Sequence, residues 1–98
     1  MITFFRTEVF DTWLKTLRDL KAKARILARI RSAEQGNFGD CDSVGEGVFE
    51  MRIQVGPGYR VYYCRRQAFI YLLLCGGDKS TQQRDIVRAR ALLSKLEV

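Results

Sequence analysis

The first third of the chain has apolar residues at helical spacing. From Glu8 to Leu20 an apolar side chain recurs every three or four residues, which predicts an amphipathic helix. The residues of this stripe are Val9, Phe10, Trp13, Leu14, Leu17 and Leu20. A second helical stripe consists of Ala22, Ile26, Leu27, Ile30 and Ala33. Gly36 predicts the end of the second helix, and the segment ITFFRT before Glu8 predicts a short N-terminal strand.

The second half of the chain has the apolar pattern of strands. We expect strands at about residues 47–55, 59–66 and 68–75, after a loop or irregular strand at 37–46. The third strand, AFIYLLLC, is apolar almost throughout, which is typical of a central strand covered on both faces. We expect the run GGDK to end it and Ser80, with Gln83, to form a capping box. A last helix then carries Ile86, Ala89, Leu93 and Leu96 on one side.

These elements follow one another in the order β-α-α-β-β-β-α. Because strands and helices come in runs, the order predicts an α+β fold with a mainly antiparallel sheet packed against helices. Ninety-eight residues suit one domain, so we assign residues 1–98 to a single domain. No stretch approaches the ~20 apolar residues that span a bilayer, and acidic residues interrupt the N-terminal region where a signal peptide needs an apolar core. We therefore expect a cytoplasmic protein with no membrane partner.

The charge of the chain is basic and unevenly distributed. The net charge is +6, with +4 in residues 1–35, −4 in residues 36–50 and +6 in residues 51–98. Basic surface of this extent favours a polyanionic partner, nucleic acid first. A solvated basic face or a docking surface for an acidic protein is the alternative, and charge alone does not separate them.

The composition restricts the chemistry that the chain can perform. It has no histidine, so proton transfer must use other side chains. Its three cysteines, Cys41, Cys64 and Cys75, are an odd number without C-x-x-C spacing, which argues against a disulfide framework and a structural zinc site. We expect them to be small, reduced, partly buried side chains, and we expect neither a metal ion nor a cofactor.

The stretch GVFEMRIQVGPGYRVYY, residues 47–63, places two arginines on one hairpin. If Gly56-Pro57-Gly58 is the loop, Val55 pairs with Tyr59, and Met51, Ile53, Val61 and Tyr63 share a buried face. The opposite face then carries Glu50, Arg52, Gln54, Arg60, Tyr62 and Cys64. Arg52 lies opposite Tyr62 and diagonal to Arg60, which suits binding of one phosphate. Lys79 follows the last strand, near the start of the last helix. The alternative is that the arginines pair with Glu50, Asp78 or Asp85 and only cover the sheet.

Residues 47–63, together with LLLCGGDKSTQ and the D-I-x-x-A pattern after it, resemble the RelE/ParE toxin superfamily. The likeness covers nearly the whole chain and is strongest to the phage-derived, addiction module killer branch, similar to HigB-type proteins. The resemblance implies the small RelE-like fold and a toxin of a type II toxin–antitoxin pair. Ribosome-dependent members are mRNA interferases, endoribonucleases that inhibit translation: the RNA 2′-hydroxyl attacks the adjacent phosphate and leaves a cyclic phosphate.

The resemblance also implies roles for particular residues. Arg60 in G-Y-R matches the family's arginine, Arg52 and Lys79 fall on basic positions, and Glu50 is a candidate general base. Members with strong acid–base catalysis often have a His or Tyr near the last helix, where this chain has STQQRDIVRAR. Gln82 and Arg84 are the polar groups available there for RNA binding, and Lys79 is the remaining candidate proton donor. Tyr62 is a candidate for base stacking, which rests on the strand pattern alone.

Two functions of different classes remain open. The first is a ribosome-dependent mRNA endonuclease, and the basic residues Arg52, Arg60 and Lys79 favour it. The second is a ParE-like toxin that poisons DNA gyrase without cutting RNA. A weaker third is a binding module that keeps only the fold and the antitoxin interface. The expected partners are a cognate antitoxin protein, docking on the basic sheet face and on exposed apolar parts of the helices, and the ribosome with its mRNA. The sequence leaves the oligomeric state open.

Overall fold

The computed structural model describes residues 1–96, which form a five-stranded mixed sheet with three helices. This confirms the predicted α+β class. The elements are β1 (Thr3–Arg6), α1 (Glu8–Thr16), α2 (Leu20–Glu34), β2 (Cys41–Ser43), β3 (Phe49–Ile53), β4 (Tyr59–Gln67), β5 (Ile70–Asp78), a 3-10 turn (Lys79–Thr81) and α3 (Gln82–Leu96). The strand order is β1-β5-β4-β3-β2, with β1 parallel to β5 and the other pairs antiparallel. Within residues 1–96, none of the helices combines the length and apolar character needed to cross a bilayer.

The sheet is covered on both faces, by different helices. On one face α1 and α2 pack Phe10, Leu14, Ile26 and Ile30 against the sheet. On the other face α3 packs Ala89 and Leu93 against a second apolar cluster. The sheet residues of the first cluster are Met51, Ile53, Val61, Tyr63 and Leu73. Those of the second are Tyr62, Cys64, Leu74 and Cys75. The candidate site lies on the α3 face, at the end where α3 begins.

The two predicted helices before β2 are present, but the first ends earlier than its apolar stripe indicates. Helix α1 ends at Thr16, and α2 begins at Leu20. The break has a local cause: the Asp19 side chain accepts a hydrogen bond from the Ala22 backbone N–H at 3.1 Å and caps a new helix. Leu20, predicted as the last apolar residue of the first stripe, is therefore 75% exposed at the start of α2.

Strand β5 is longer than the sequence predicted. It runs through Gly76 and Gly77 to Asp78 instead of ending at Cys75. Ser80 is not the helix cap: the Asp78 carboxylate accepts hydrogen bonds from Ser80 N and Oγ at 2.8 and 2.5 Å and caps the 3-10 turn. These bonds lower the pKa of Asp78, because they favour its charged form.

The two glycines of β5 lie where helices approach the sheet on opposite sides. A Cβ on Gly76 would overlap the ring of Trp13 in α1. A Cβ on Gly77 would overlap the carboxylate of Asp85 in α3, which is 4% exposed. The pair therefore permits close packing of α1 and α3, and Gly77 fixes the position at which α3 starts.

The β3–β4 hairpin has a different register from the predicted one. Arg52 pairs with Arg60, Ile53 with Tyr59 and Glu50 with Tyr62, so the connection comprises five residues, 54–58, instead of three. Val55 and Gly58 close a turn inside this connection through a 3.1 Å backbone hydrogen bond. The shift is two residues, so every side chain remains on its predicted face.

Candidate functional site

The candidate site is a cleft of about 410 Å³ between the β3–β4 connection and the end of β5. Arg52, Arg60 and Lys79 all line it, beside the turn that contains Gly56, Pro57 and Gly58. Arg52 and Arg60 come from paired positions of β3 and β4, and Lys79 comes from the 3-10 turn after β5. The volume lies within the range of about 300–1,000 Å³ that ligand pockets occupy. The structure thus brings together the three cations selected from the sequence.

A buried carboxylate separates the two arginines. The Glu50 side chain is 2% exposed. Its Oε1 accepts hydrogen bonds from Arg52 Nη1 at 3.2 Å and from Arg60 Nη1 at 3.4 Å. Its Oε2 accepts from Tyr62 Oη at 3.2 Å and from Gln82 Nε2 at 2.9 Å. A negative charge between the guanidinium groups offsets their repulsion, which explains how two arginines occupy directly opposite positions.

Arg52 is also held by acidic residues that the hairpin does not contain. Its Nε and Nη2 donate to Asp40 Oδ1 at 3.1 and 2.7 Å, and its Nη2 lies 3.5 Å from Asp42 Oδ2. The Asp40 hydrogen bond raises the pKa of Arg52, and the same bond lowers the pKa of Asp40. Arg52 therefore matches the alternative expectation of an arginine paired with carboxylates, although its partners beyond Glu50 are Asp40 and Asp42 and not Asp78 or Asp85.

The acidic residues reach Arg52 because two other arginines fix the segment that carries them. From α2, Arg29 donates to the carbonyl oxygens of Phe38, Asp40 and Arg52, the last at 2.5 Å. From α3, Arg90 donates to the Val44 carbonyl and lies 3.4 Å from Glu46. The predicted irregular segment at residues 37–46 is thus held at both ends, and Cys41–Ser43 adds β2 to the sheet edge.

Arg60 and Lys79 have fewer partners than Arg52. Within residues 1–96, Arg60 has one ion pair, with Glu50, and its buried Nε has no acceptor. Lys79 is exposed and forms no ion pair with any described carboxylate. A buried N–H without an acceptor is uncommon in proteins and calls for a water or a ligand oxygen. The unpaired donors of the cleft therefore belong to Arg60 and Lys79.

The start of α3 brings two further predicted residues to the cleft's border. Gln82 and Arg84 line a shallow depression that shares Lys79 with the cleft. Gln82 is half-buried because it reaches Glu50, whereas Arg84 is exposed. The depression continues the basic surface beyond the cleft.

Tyr62 does not have the position that base stacking requires. Its side chain is fully buried beneath α3, and its hydroxyl donates to Glu50. Burial, followed by the neighbouring Glu50 charge, raises the pKa of Tyr62. The strand pattern placed Tyr62 on the correct face, but that face is partly covered by the last helix. Cys64 on the same face is buried for the same reason.

Sequence reasoning missed Asp40 as a partner of the site. Gln54 Nε2 also donates to Asp40 Oδ2, at 3.2 Å. The available signal was the net charge of −4 in residues 36–50, directly before a segment of +6. That contrast indicates contact between the two segments but does not identify the pair, because the contact depends on Arg29 in a distant helix.

The arrangement can bind an anion and stabilise negative charge that develops on it. Arg60 offers the planar hydrogen-bond donors of a guanidinium, and Lys79 offers an ammonium on a flexible side chain. Arg52 adds positive charge to the lining of the same cleft. Charges fixed before the reaction are effective because they need no reorganisation when the transition state forms.

Comparisons with known proteins identify the family of this chain. Residues 12–93 match the family described as phage derived protein Gp49-like (DUF891). A protein of Haemophilus influenzae described as uncharacterized is 52% identical over 90 residues, covering 92% of this chain and 91% of its own. No solved structure gives a significant match. The match over most of the chain shows that this protein belongs to the Gp49-like family of phage-derived proteins.

Proposed function

We propose that this protein is the toxin of a type II toxin–antitoxin pair and that it inhibits translation by cutting mRNA on the ribosome. Membership of the Gp49-like family is consistent with a toxin of this kind. The observation that carries the proposal is the convergence of Arg52, Arg60 and Lys79 on one cleft. Three cations at one open site suit a phosphodiester better than they suit a neutral ligand.

The proposed reaction is attack of an RNA 2′-hydroxyl on the adjacent phosphate. The new bond joins the 2′-oxygen to phosphorus, the bond to the 5′-oxygen breaks, and the products are a 2′,3′-cyclic phosphate and a 5′-hydroxyl. Negative charge accumulates on the non-bridging oxygens, where Arg60 and Lys79 would stabilise it. The attacking 2′-hydroxyl releases its proton to water, and the leaving 5′-oxygen takes a proton from Lys79, the group at the cleft wall that can donate one and that water then reprotonates.

The proposal gives positioning a large share of the catalysis. Among the described residues near the cleft there is no histidine, and the buried Tyr62 hydroxyl is already bonded to Glu50. A ribosome that holds the mRNA in the attacking geometry would supply what the side chains do not. Ribosome dependence is therefore part of the proposal.

The antitoxin is proposed as the protein partner, and the structure offers apolar surface for it on α3. Val87 and Leu96 of α3 are 64% and 47% exposed. Because nine residues separate them, they project from opposite sides of the helix, so each offers a separate apolar contact to an amphipathic, acidic segment and not a continuous stripe. A segment bound there could extend over the cleft and block it.

The test is to induce the protein in bacteria and to map mRNA 5′ ends while measuring DNA supercoiling and double-strand breaks. We expect cuts confined to translated RNA and phased with codons. Gyrase-dependent DNA breaks with intact transcripts would contradict the proposal and support the gyrase-poison alternative. Growth arrest with neither signal would support a binding module.

Arg60→Ala supplies the site-specific form of this test. We expect loss of growth arrest and of mRNA cuts, because the variant removes a charge that faces the proposed phosphate, with a cost of about 10²–10³ in rate for one such donor. Arg66→Ala is the matched control, since Arg66 is an exposed arginine on the same strand outside the cleft. Growth arrest that persists in a folded Arg60→Ala variant would exclude this cleft as the site.

A further inference from the structure

We infer that Glu50 is a positioning residue for Arg60 and Gln82, and not the general base of the reaction. The inference rests on the proposed function, because it concerns how the same cleft is prepared for an RNA phosphate. It assigns a role to the buried carboxylate that neither family membership nor sequence spacing provides.

The first argument is the number of donors that Glu50 already accepts. Its two oxygens receive four side-chain hydrogen bonds, two on Oε1 from arginines and two on Oε2 from neutral donors. A carboxylate has about four lone-pair sites. All of them are occupied by protein donors, so none remains to receive the proton of a substrate hydroxyl.

The second argument is access. Glu50 is 2% exposed, and it is enclosed by β4 on one side and by the first residue of α3 on the other. A general base must approach within about 2.6–3.2 Å of the proton it removes, directly or through one water. The charged residues that line the cleft are Arg52, Arg60 and Lys79, and Glu50 is not among the lining residues.

The third argument is what Glu50 does to its neighbours. It joins three separate elements, because its donors come from β3, β4 and α3. The contact with Arg60 Nη1 fixes one edge of the guanidinium and leaves Nε without an acceptor among the described residues. A guanidinium held in this way keeps its remaining donors in place before a ligand arrives.

The test is a double-mutant cycle on RNA binding. The probe is a 12-nucleotide RNA with 2′-O-methyl groups throughout, which cannot react, and its affinity is measured by fluorescence anisotropy at low salt. We expect Glu50→Gln to weaken binding about 10- to 100-fold, as for loss of a charge-assisted hydrogen bond. In an Arg60→Ala background we expect the same change to cost less than about threefold, because Glu50 acts through Arg60.

Asp85→Asn is the matched control. Asp85 is the other buried carboxylate of this face, 4% exposed, and it accepts a hydrogen bond from Thr81 Oγ1 at 2.5 Å without lining the cleft. We expect its neutralisation to lower stability in urea while the folded protein binds the RNA as tightly as the wild type. Should Glu50→Gln fail to fold, the comparison is made in an Arg52→Gln background, where one of the opposing cations is removed.

The outcomes separate the inference from the proposed function. Unchanged RNA affinity in Glu50→Gln with cleavage lost would identify Glu50 as the base and overturn the inference. Additive effects of Glu50→Gln and Arg60→Ala would also overturn it, while wild-type cleavage would still support the proposed function. Conversely, wild-type binding of the probe with no cuts in translated mRNA in the induced cells would reject the proposed function and leave the cycle interpretable. A wild type that does not bind the probe would overturn the inference, while the map of mRNA 5′ ends would still decide the proposed function.

Discussion

Arg52 and Arg60 occupy paired positions, yet their donors differ in availability. Among residues 1–96, every edge of the Arg52 guanidinium faces a carboxylate, whereas Arg60 forms an ion pair with Glu50 alone and retains a buried N–H without an acceptor. Of these two arginines on one hairpin, Arg52 therefore forms part of the cleft wall, whereas Arg60 can still bind a ligand. The difference comes from the segment at residues 37–46, which contacts Arg52 and not Arg60.

The Asp40 contact predicts a residue whose removal strengthens RNA binding. Asp40 holds the Nε–Nη2 edge of Arg52, and it adds negative charge beside a residue that lines the cleft. We expect Asp40→Asn to bind the 2′-O-methyl RNA about two- to fivefold more tightly, in keeping with the modest strength of an exposed ion pair. Fluorescence anisotropy at two salt concentrations measures this.

Asp42→Asn separates local release of Arg52 from a general change in charge. Asp42 is 73% exposed, and its Oδ2 lies 3.5 Å from Arg52 Nη2. The Asp42→Asn variant therefore removes the same charge as Asp40→Asn but releases less of the Arg52 guanidinium. A smaller gain than that of Asp40→Asn is the expected result. Weaker RNA binding in Asp40→Asn would mean that the acid orients Arg52 productively.

Gly77 gives a second prediction at the level of single residues. A Cβ at this position would overlap the Asp85 carboxylate, so Gly77→Ala must move α3 or the strand. We expect a loss of about 1–3 kcal/mol in the free energy of unfolding, measured in urea. Combining it with Asp85→Ala, which makes room for the methyl group, should recover part of that loss. Strictly additive losses would show that the overlap is not the cause.

At the level of elements, the strand faces were predictable and the strand register was not. Glu50, Arg52 and Arg60 lie on the predicted face, because alternation survives a shift of two residues. The pairing itself depended on the length of the connection. Gly56-Pro57-Gly58 marked the turn, but Gln54 and Val55 also lie outside the strand pairing. A Val at the end of an alternating run gives no sign that the strand has already ended.

The last helix accounts for the largest difference between expectation and structure at the site. Periodicity predicted α3 correctly, and Ile86, Ala89 and Leu93 of its predicted apolar side pack on the sheet, whereas Leu96 is 47% exposed. It could not predict which face of the sheet α3 covers. Because α3 covers the face that carries Tyr62, that ring is core rather than RNA-binding surface. The roles of the remaining site residues stay predictions until variants are tested.

At the scale of the whole molecule, acid should destabilise the fold through two surface carboxylates. Asp40 and Asp78 both have pKa values below the ordinary 3.8, so the unfolded chain binds protons more readily than the folded protein. Their contribution is complete above about pH 4 and is lost as the pH falls through the folded-state pKa values. Urea unfolding between pH 7 and pH 2.5 measures the decline.

Neutralising both carboxylates provides the control for acid unfolding. The double variant Asp40→Asn/Asp78→Asn should begin with a lower stability at pH 7 and lose less of it on acidification. A decline as steep as that of the wild type would assign acid sensitivity to other groups.

The parallel pairing of β1 with β5 has a consequence for synthesis of the chain. Within residues 1–96, the strand Thr3–Arg6 pairs with Ile70–Leu73, and Glu50 accepts a hydrogen bond from Gln82. A polypeptide emerging from the ribosome exposes its beginning long before either arrives, so neither the sheet nor the basic cleft can be completed until most of the molecule has left the exit tunnel. A translation inhibitor whose cleft is completed this late would be harmless to the ribosome that is making it.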